Sequence, residues 1–144
     1  MNQVWVGDIA QIKIRQGWSY LATYIDLYSR KVVGWTIETY MRSELVEMAL
    51  KRALWNRKPP KGLVVHTDQD SQFISRAYRK LLKHWSIKQS MRRRGNCWDN
   101  AVIESFFKLL KTEGIYQLTK LISQQQIKWL IVEYMGHYNN VRPQ

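Results

Sequence analysis

The run Leu63-Val64-Val65 sets the tightest limit on the fold, because three successive apolar residues leave a strand no polar face. Pro59-Pro60 and Gly62 punctuate it on one side and Asp68 to Ser71 on the other, so it is too short for a helix. A strand covered on both faces pairs in parallel inside a sheet flanked by helices. The surrounding segments agree. From Val4 to Ile9 the residues alternate, with Val4, Val6 and Asp8 on one face and Trp5, Gly7 and Ile9 on the other. Trp18 to Asp26 and Lys31 to Glu38 are rich in aromatic and β-branched residues, and the link Leu27 to Arg30 is short enough for a hairpin. Ser43 is a predicted N-cap for a helix to about Asn56, and Ser75 for one through about Trp85. Ile87 to Ser90 is a short predicted strand, followed by a basic, glycine-containing loop from Met91 to Cys97. Asp99 or Asn100 caps a helix that buries Ile103, Phe106, Phe107 and Leu110, and a last helix runs from about Ser123 to Tyr138. Its inward positions are Ile127, Leu130, Ile131 and Tyr134. The order predicts one α/β domain over residues 1–144, a five-stranded mixed sheet flanked by helices.

Charge narrows the function. Lys and Arg number 23 against 11 Asp and Glu, a net charge of +12, which suits a polyanionic partner, with nucleic acid the first candidate. No membrane is expected as partner, since the basic residues are interleaved with core segments and no apolar run reaches a membrane span. The opening residues lack the layout of a signal peptide, which points to the cytoplasm. Cys97 is alone, so there is no internal disulfide, and His66, His84 and His137 have no zinc-ligand spacing with it.

Three carboxylates stand at element ends: Asp8 on the first strand, Asp68 after the central one, and Glu104 early in a helix. Carboxylate oxygens are hard ligands suited to Mg²⁺ or Mn²⁺. Two such ions roughly 4 Å apart activate an attacking oxygen and neutralise a leaving one, the chemistry of in-line displacement at phosphorus.

Six ordered blocks sharpen this reading: Val4-Trp5-Val6-Gly7-Asp8-Ile9; Tyr20-Leu21 through Ile25-Asp26-Leu27-Tyr28-Ser29-Arg30 to Trp35; His66-Thr67-Asp68-Gln69-Asp70-Ser71-Gln72-Phe73; Gly95-Asn96-Cys97-Trp98-Asp99-Asn100-Ala101; Glu104-Ser105-Phe106-Phe107; and Tyr138-Asn139 with Arg142-Pro143. In these the chain resembles the integrase catalytic core of bacterial insertion-sequence transposases made from two overlapping reading frames, which are related to retroviral integrases. That family leaves 35 residues between its last two metal ligands, as many as stand between Asp68 and Glu104. The resemblance implies an RNase H-like fold and a DDE triad of Asp8, Asp68 and Glu104 that is both catalytic and metal-binding, with two Mg²⁺ or Mn²⁺ ions as cofactor. It implies hydrolysis at a transposon 3′ end, then attack of the freed hydroxyl on another phosphodiester, on DNA and not on a small-molecule substrate. By the same analogy the chain assembles as a homo-oligomer to bring two ends together.

Basic residues supply the DNA side. Lys108 and Lys111 lie four and seven residues past Glu104 on one helix face, placed to meet the same phosphates. Glu104 and Lys108 are equally spaced for an i, i+4 ion pair. Arg92, Arg93 and Arg94 form a cluster that either grips backbone phosphate or is a solvated charge run. Trp98 is read as closing a loop over the core ahead of stacking on an unpaired base. Asp26 is read as a turn residue, Asp99 as a helix cap and His66 as a strand-end histidine with its hydrogen bond satisfied.

Two positions depart from the family. Asp70 stands where glycine is usual, adding negative charge two residues from Asp68, and Ala10 stands where threonine is common. Asp70 motivates a second class of function, an inactive remnant that only binds nucleic acid; a third is an RNase H-like nuclease, disfavoured by the Gly95 to Phe107 block. The resemblance also places the helix-turn-helix segment that reads transposon ends outside these 144 residues, and the C-terminal end is expected to be truncated.

Overall fold

The computed structural model describes residues 3–68, 71–91, 101–115 and 120–141. Its centre is β1 (Val4–Ile14), hydrogen-bonded antiparallel to β2 (Gly17–Asp26), which pairs antiparallel with β3 (Val32–Glu38). Helix α1 (Ser43–Arg57) then crosses to β4 (Val64–Thr67), which lies parallel to β1 on its other side. A 3₁₀ turn (Ser71–Phe73) and α2 (Arg76–His84) lead to β5 (Lys88–Met91), parallel to β4. The sheet order is β3-β2-β1-β4-β5, the five-stranded mixed sheet expected. Two helices follow: α3 (Ala101–Leu109), continued by a π-helical turn (Leu110–Ile115), and α4 (Gln124–Val141).

Alternation along the strands makes two cores. Trp5, Ala22, Tyr24, Val33 and Val65 face α1 and α2, whereas Val6, Ala10, Ile12, Ile14, Leu21 and Ile25 face α3 and α4. On the first face two glycines let other groups come close. A Cβ on Gly34 would lie 2.5 Å from the Ala49 carbonyl and 2.6 Å from Ala53, so α1 rests directly on β3. A Cβ on Gly7 would enter the Tyr24 ring. The Tyr24 hydroxyl donates to the Val46 carbonyl at 3.2 Å, which leaves Tyr78 to donate to Tyr24 at 2.7 Å. Burial holds both phenols well above their ordinary pKa, and at Tyr24 the neighbouring Tyr78 pushes the same way.

The outer edge of the sheet is closed by side chains. Asn139 of α4 accepts from the Val32 N–H and donates to the Val32 carbonyl, both at 2.9 Å, copying the pairing of a neighbouring strand. Arg52 donates to the Trp35 carbonyl at 3.1 Å and Asn56 to that of Val33 at 3.4 Å. The Tyr138-Asn139 block thus has a structural part to play on β3.

Several expectations shift in detail. Strand β1 continues five residues beyond Ile9, with Ala10, Ile12 and Ile14 buried and Gln11 and Lys13 exposed. Ser43 is the first residue of α1, not its cap: Arg42 holds the N-cap position in extended geometry without a side-chain bond. Ser75 does cap α2, its hydroxyl accepting from Tyr78 N–H at 3.1 Å. Phe107 and Leu130 are only half-buried, and Met135 takes the inward position on α4. Asp99, Asn100, Trp98 and Cys97 lie outside the described residues.

Candidate active site

The register of β1 and β4 brings the first two acids together. Val4 pairs with Val64 and Gly7 with Thr67, so Asp8 and Asp68 each follow the last pair by one residue. Adjacent strands lie about 4.8 Å apart, which sets the two side by side at the carboxyl end of a parallel pair, where open α/β sheets bind their ligands. Both are half-buried. They share a face with Val6, its partner His66 and Ala10, the face covered by α3.

Helix α3 supplies the third acid. Ile103, Phe106 and Leu110 are its buried stripe and pack in the same cluster as Val6 and Ala10. Glu104 adjoins that stripe and is exposed, on the side of the sheet that carries Asp8 and Asp68. Among the described residues no three His, Cys, Asp or Glu side chains stand close enough to hold a metal ion. What the backbone provides is placement on one face, not a closed ligand cluster. Three carboxylates on one face are nevertheless a donor set that fits a hard divalent cation.

Neighbouring polar groups border the acids. Asp8 Oδ1 accepts from the N–H of Ile9 at 2.8 Å. Thr23 lies directly opposite Asp8 on β2, with a buried hydroxyl that has no hydrogen-bond partner among the described residues. His66 Nδ1 meets Ser90 Oγ at 3.0 Å, while its buried Nε2 has no such partner, so the expected satisfied histidine is satisfied at one nitrogen only. Beyond Asp68 the chain is tied back by Gln89, whose amide donates to the Phe73 carbonyl at 2.8 Å and to Thr67 Oγ1 at 3.3 Å. Sequence reading passed over Thr23: only the strand register reveals that it faces Asp8.

The other predicted residues divide. Lys108 is exposed in the last turn of α3, and Lys111 is half-buried at the start of the π-helical turn. Arg92, Arg93, Arg94 and Asp70 lie outside the described residues. Asp26 is the turn residue it was expected to be, buried, with Oδ1 accepting from Tyr28 N–H at 2.9 Å and Ser29 N–H at 3.0 Å.

This architecture has counterparts. Two family models, each described as "Integrase core domain", match residues 1–97 and 85–144. Transposase InsF for insertion sequence IS3A from Escherichia coli (strain K12) is 42% identical over 142 residues, 98% of this chain and 49% of that protein. The chain belongs to the integrase core domain family. The transposase for insertion sequence element IS904 from Lactococcus lactis subsp. lactis (strain IL1403) is 45% identical over 114 residues, 79% of this integrase core and 45% of that protein. The core therefore spans about half the length of the curated relatives it matches. Its fold is that of the HTLV-2 integrase catalytic core domain, solved in complex with magnesium in a dimeric form. That likeness has a TM-score of 0.76 at 18% identity, covering 98% of this chain and 88% of that one. The RNase H-like fold implied by the sequence is the one observed. No helix among the described residues is long and apolar enough to cross a membrane.

Proposed function

We propose that this integrase core is the catalytic part of a DDE transposase, cutting DNA at a transposon 3′ end and joining the freed hydroxyl to a target. The observation that carries the reading is the parallel β1·β4 register, which seats Asp8 beside Asp68 on the face covered by the helix of Glu104. We assign all three as catalytic, metal-binding residues that would hold two Mg²⁺ or Mn²⁺ ions through carboxylate oxygens. When bound, such a pair lowers the pKa of the attacking water or hydroxyl and offsets charge on the leaving oxygen. The carboxylates fix the position of that charge. Lys108 and Lys111, one and two turns beyond Glu104, hold backbone phosphates so that the scissile bond stays in line with the attacking group. Arg92, Arg93 and Arg94, which precede α3 in the sequence, extend the phosphate contacts.

The magnesium in the HTLV-2 structure and the transposase names of the relatives support metal and DNA as the ligands. A homo-oligomer is proposed from the same source, since joining requires two ends to be held at once. Phosphate-dominated binding gives an affinity that falls steeply with salt.

The test is strand transfer of a labelled 3′-end duplex, comparing wild type with Asp68→Asn and Glu104→Gln. Both substitutions are expected to reduce joined product by about 10³-fold or more, the size of several kcal/mol of lost charge stabilisation. Mn²⁺ should raise the melting temperature of the wild type and leave Asp68→Asn unmoved. Joining that survives in both variants refutes the triad.

A further inference from the structure

The pairing of β1 with β4 stops at Gly7, so from Asp8 to Ile14 β1 has a strand neighbour on one side only among the described residues. Beside that stretch opens a cleft of about 600 Å³. Its lining combines apolar Ile12 and Ile122 with Lys13, Lys111, Lys120 and Trp18. No acidic side chain lines it among the described residues. Trp18 is 45% exposed, and Lys13 Nζ sits 4.9 Å over the ring. Lys111 belongs to the π-helical turn that continues α3, a backbone irregularity frequent at functional sites.

We propose that this cleft binds an unpaired stretch of DNA strand, with its phosphates on Lys13, Lys111 and Lys120 and one base stacked on Trp18. The inference rests on the DNA-processing reading above and extends it to the strand leaving the reaction centre. A duplex hides the faces of its bases inside the stack, so an exposed indole finds a base to cover it only where the strand is single. Positive charge interleaved with a flat aromatic surface is the arrangement that holds single strands without reading their sequence. A cleft of one sign with apolar residues in its lining also concentrates the field on a bound phosphate. The position fits the chemistry. Lys111 is seven residues along the helix from Glu104, about 10 Å, so a strand engaged at the acids reaches the cleft within about three nucleotides at 3.4 Å per step.

Fluorescence anisotropy of the full chain tests this with two probes, a blunt duplex and the same duplex carrying a three-nucleotide single-stranded tail. Trp18→Ala is expected to weaken binding of the tailed probe by about 5- to 150-fold while leaving the blunt probe unchanged. Trp18→Phe, which keeps a stacking surface, should retain most of the affinity. Lys13→Ala with Lys120→Ala should flatten the slope of log affinity against log salt by about 1.4 on the tailed probe. An iodouracil in the tail should crosslink to Trp18 in the wild type. If Trp18→Ala weakens both probes equally or neither, or if polyglutamate displaces the tail as well as a single strand does, the cleft is not a single-strand site. If wild type cuts and joins DNA while all cleft variants match it, this proposal falls and the DDE reading stands. If wild type binds neither probe, both fall.

Discussion

The two faces of one sheet use their polar groups differently. On the face covered by α1 and α2, the buried hydroxyls of Tyr24 and Tyr78 satisfy each other and the Val46 carbonyl, and glycines at positions 7 and 34 bring ring and helix into direct contact. Thr36 Oγ1, opposite Ala22, is the buried exception there; on the face covered by α3 and α4, Thr23 Oγ1 and His66 Nε2 are buried without partners among the described residues, beside Asp8 and Asp68. Unpaired buried polar atoms cost stability, and adjacent carboxylates repel. Both faces carry a hydrophobic core, but on the second the unpartnered polar atoms gather beside two of the three acids. The contrast teaches that residue parity along the same strands decides which polar groups adjoin the acids.

Substitutions on the two faces should therefore fail differently. The largest effect belongs to the acid face: Asp68→Asn should abolish strand transfer yet leave the melting temperature close to that of wild type, because the amide has the size and shape of the carboxylate it replaces. A melting temperature lowered by several degrees would mean that Asp68 is structural. On the opposite face Gly34→Ala should cost about 3 kcal/mol in urea denaturation, since the new methyl meets backbone of α1 that cannot yield. A change under about 0.5 kcal/mol would show that α1 can shift freely, undoing the contrast.

Smaller effects sharpen it. Tyr24→Phe strands the Tyr78 hydroxyl in the core and should cost about 2 kcal/mol without changing strand transfer in the surviving folded protein. The same pair sets the alkaline limit. Both phenols have folded pKa values raised by burial above the ordinary 10.0, so their contribution is intact below about pH 10 and is lost as pH climbs toward the folded values. Urea midpoints measured from pH 8 to 11 should fall above pH 10 in wild type, and fall less steeply in Tyr78→Phe. Smallest of all, Asn139→Ala should cost about 1 kcal/mol by uncovering the Val32 edge, and light scattering should detect more association through the bared strand.

Much of this was legible in the residues, and what was not has physical causes. The strands announced themselves through alternation and the covered run Leu63-Val64-Val65, which places β4 in the interior. Local pattern does not encode which strand lies beside which, so the adjacency of Asp8 and Asp68 emerges only from the β1·β4 register. Residue spacing named the acids through family resemblance; it could not show Thr23 facing Asp8 across fifteen residues of hairpin. Alternation persists through Ala10, Ile12 and Ile14 with Gln11 and Lys13 between them, so the second half of β1 was legible; that it has a strand neighbour on one side only among the described residues was not, because pairing is long-range. The π-helical turn has no local signature, and the cleft joins Lys13 and Trp18 to Lys120, more than 100 residues away.

Strand β1 runs without a break from Trp5 past Asp8 to Lys13. Five residues of extended backbone measure about 17 Å, and hydrogen bonding to β2 along that whole stretch keeps the span from stretching or folding. The backbone positions of the acid and the lysine are thus graduations on a single rigid rule, with their side chains on opposite faces. Their separation is set by peptide geometry, whatever the loops around it do.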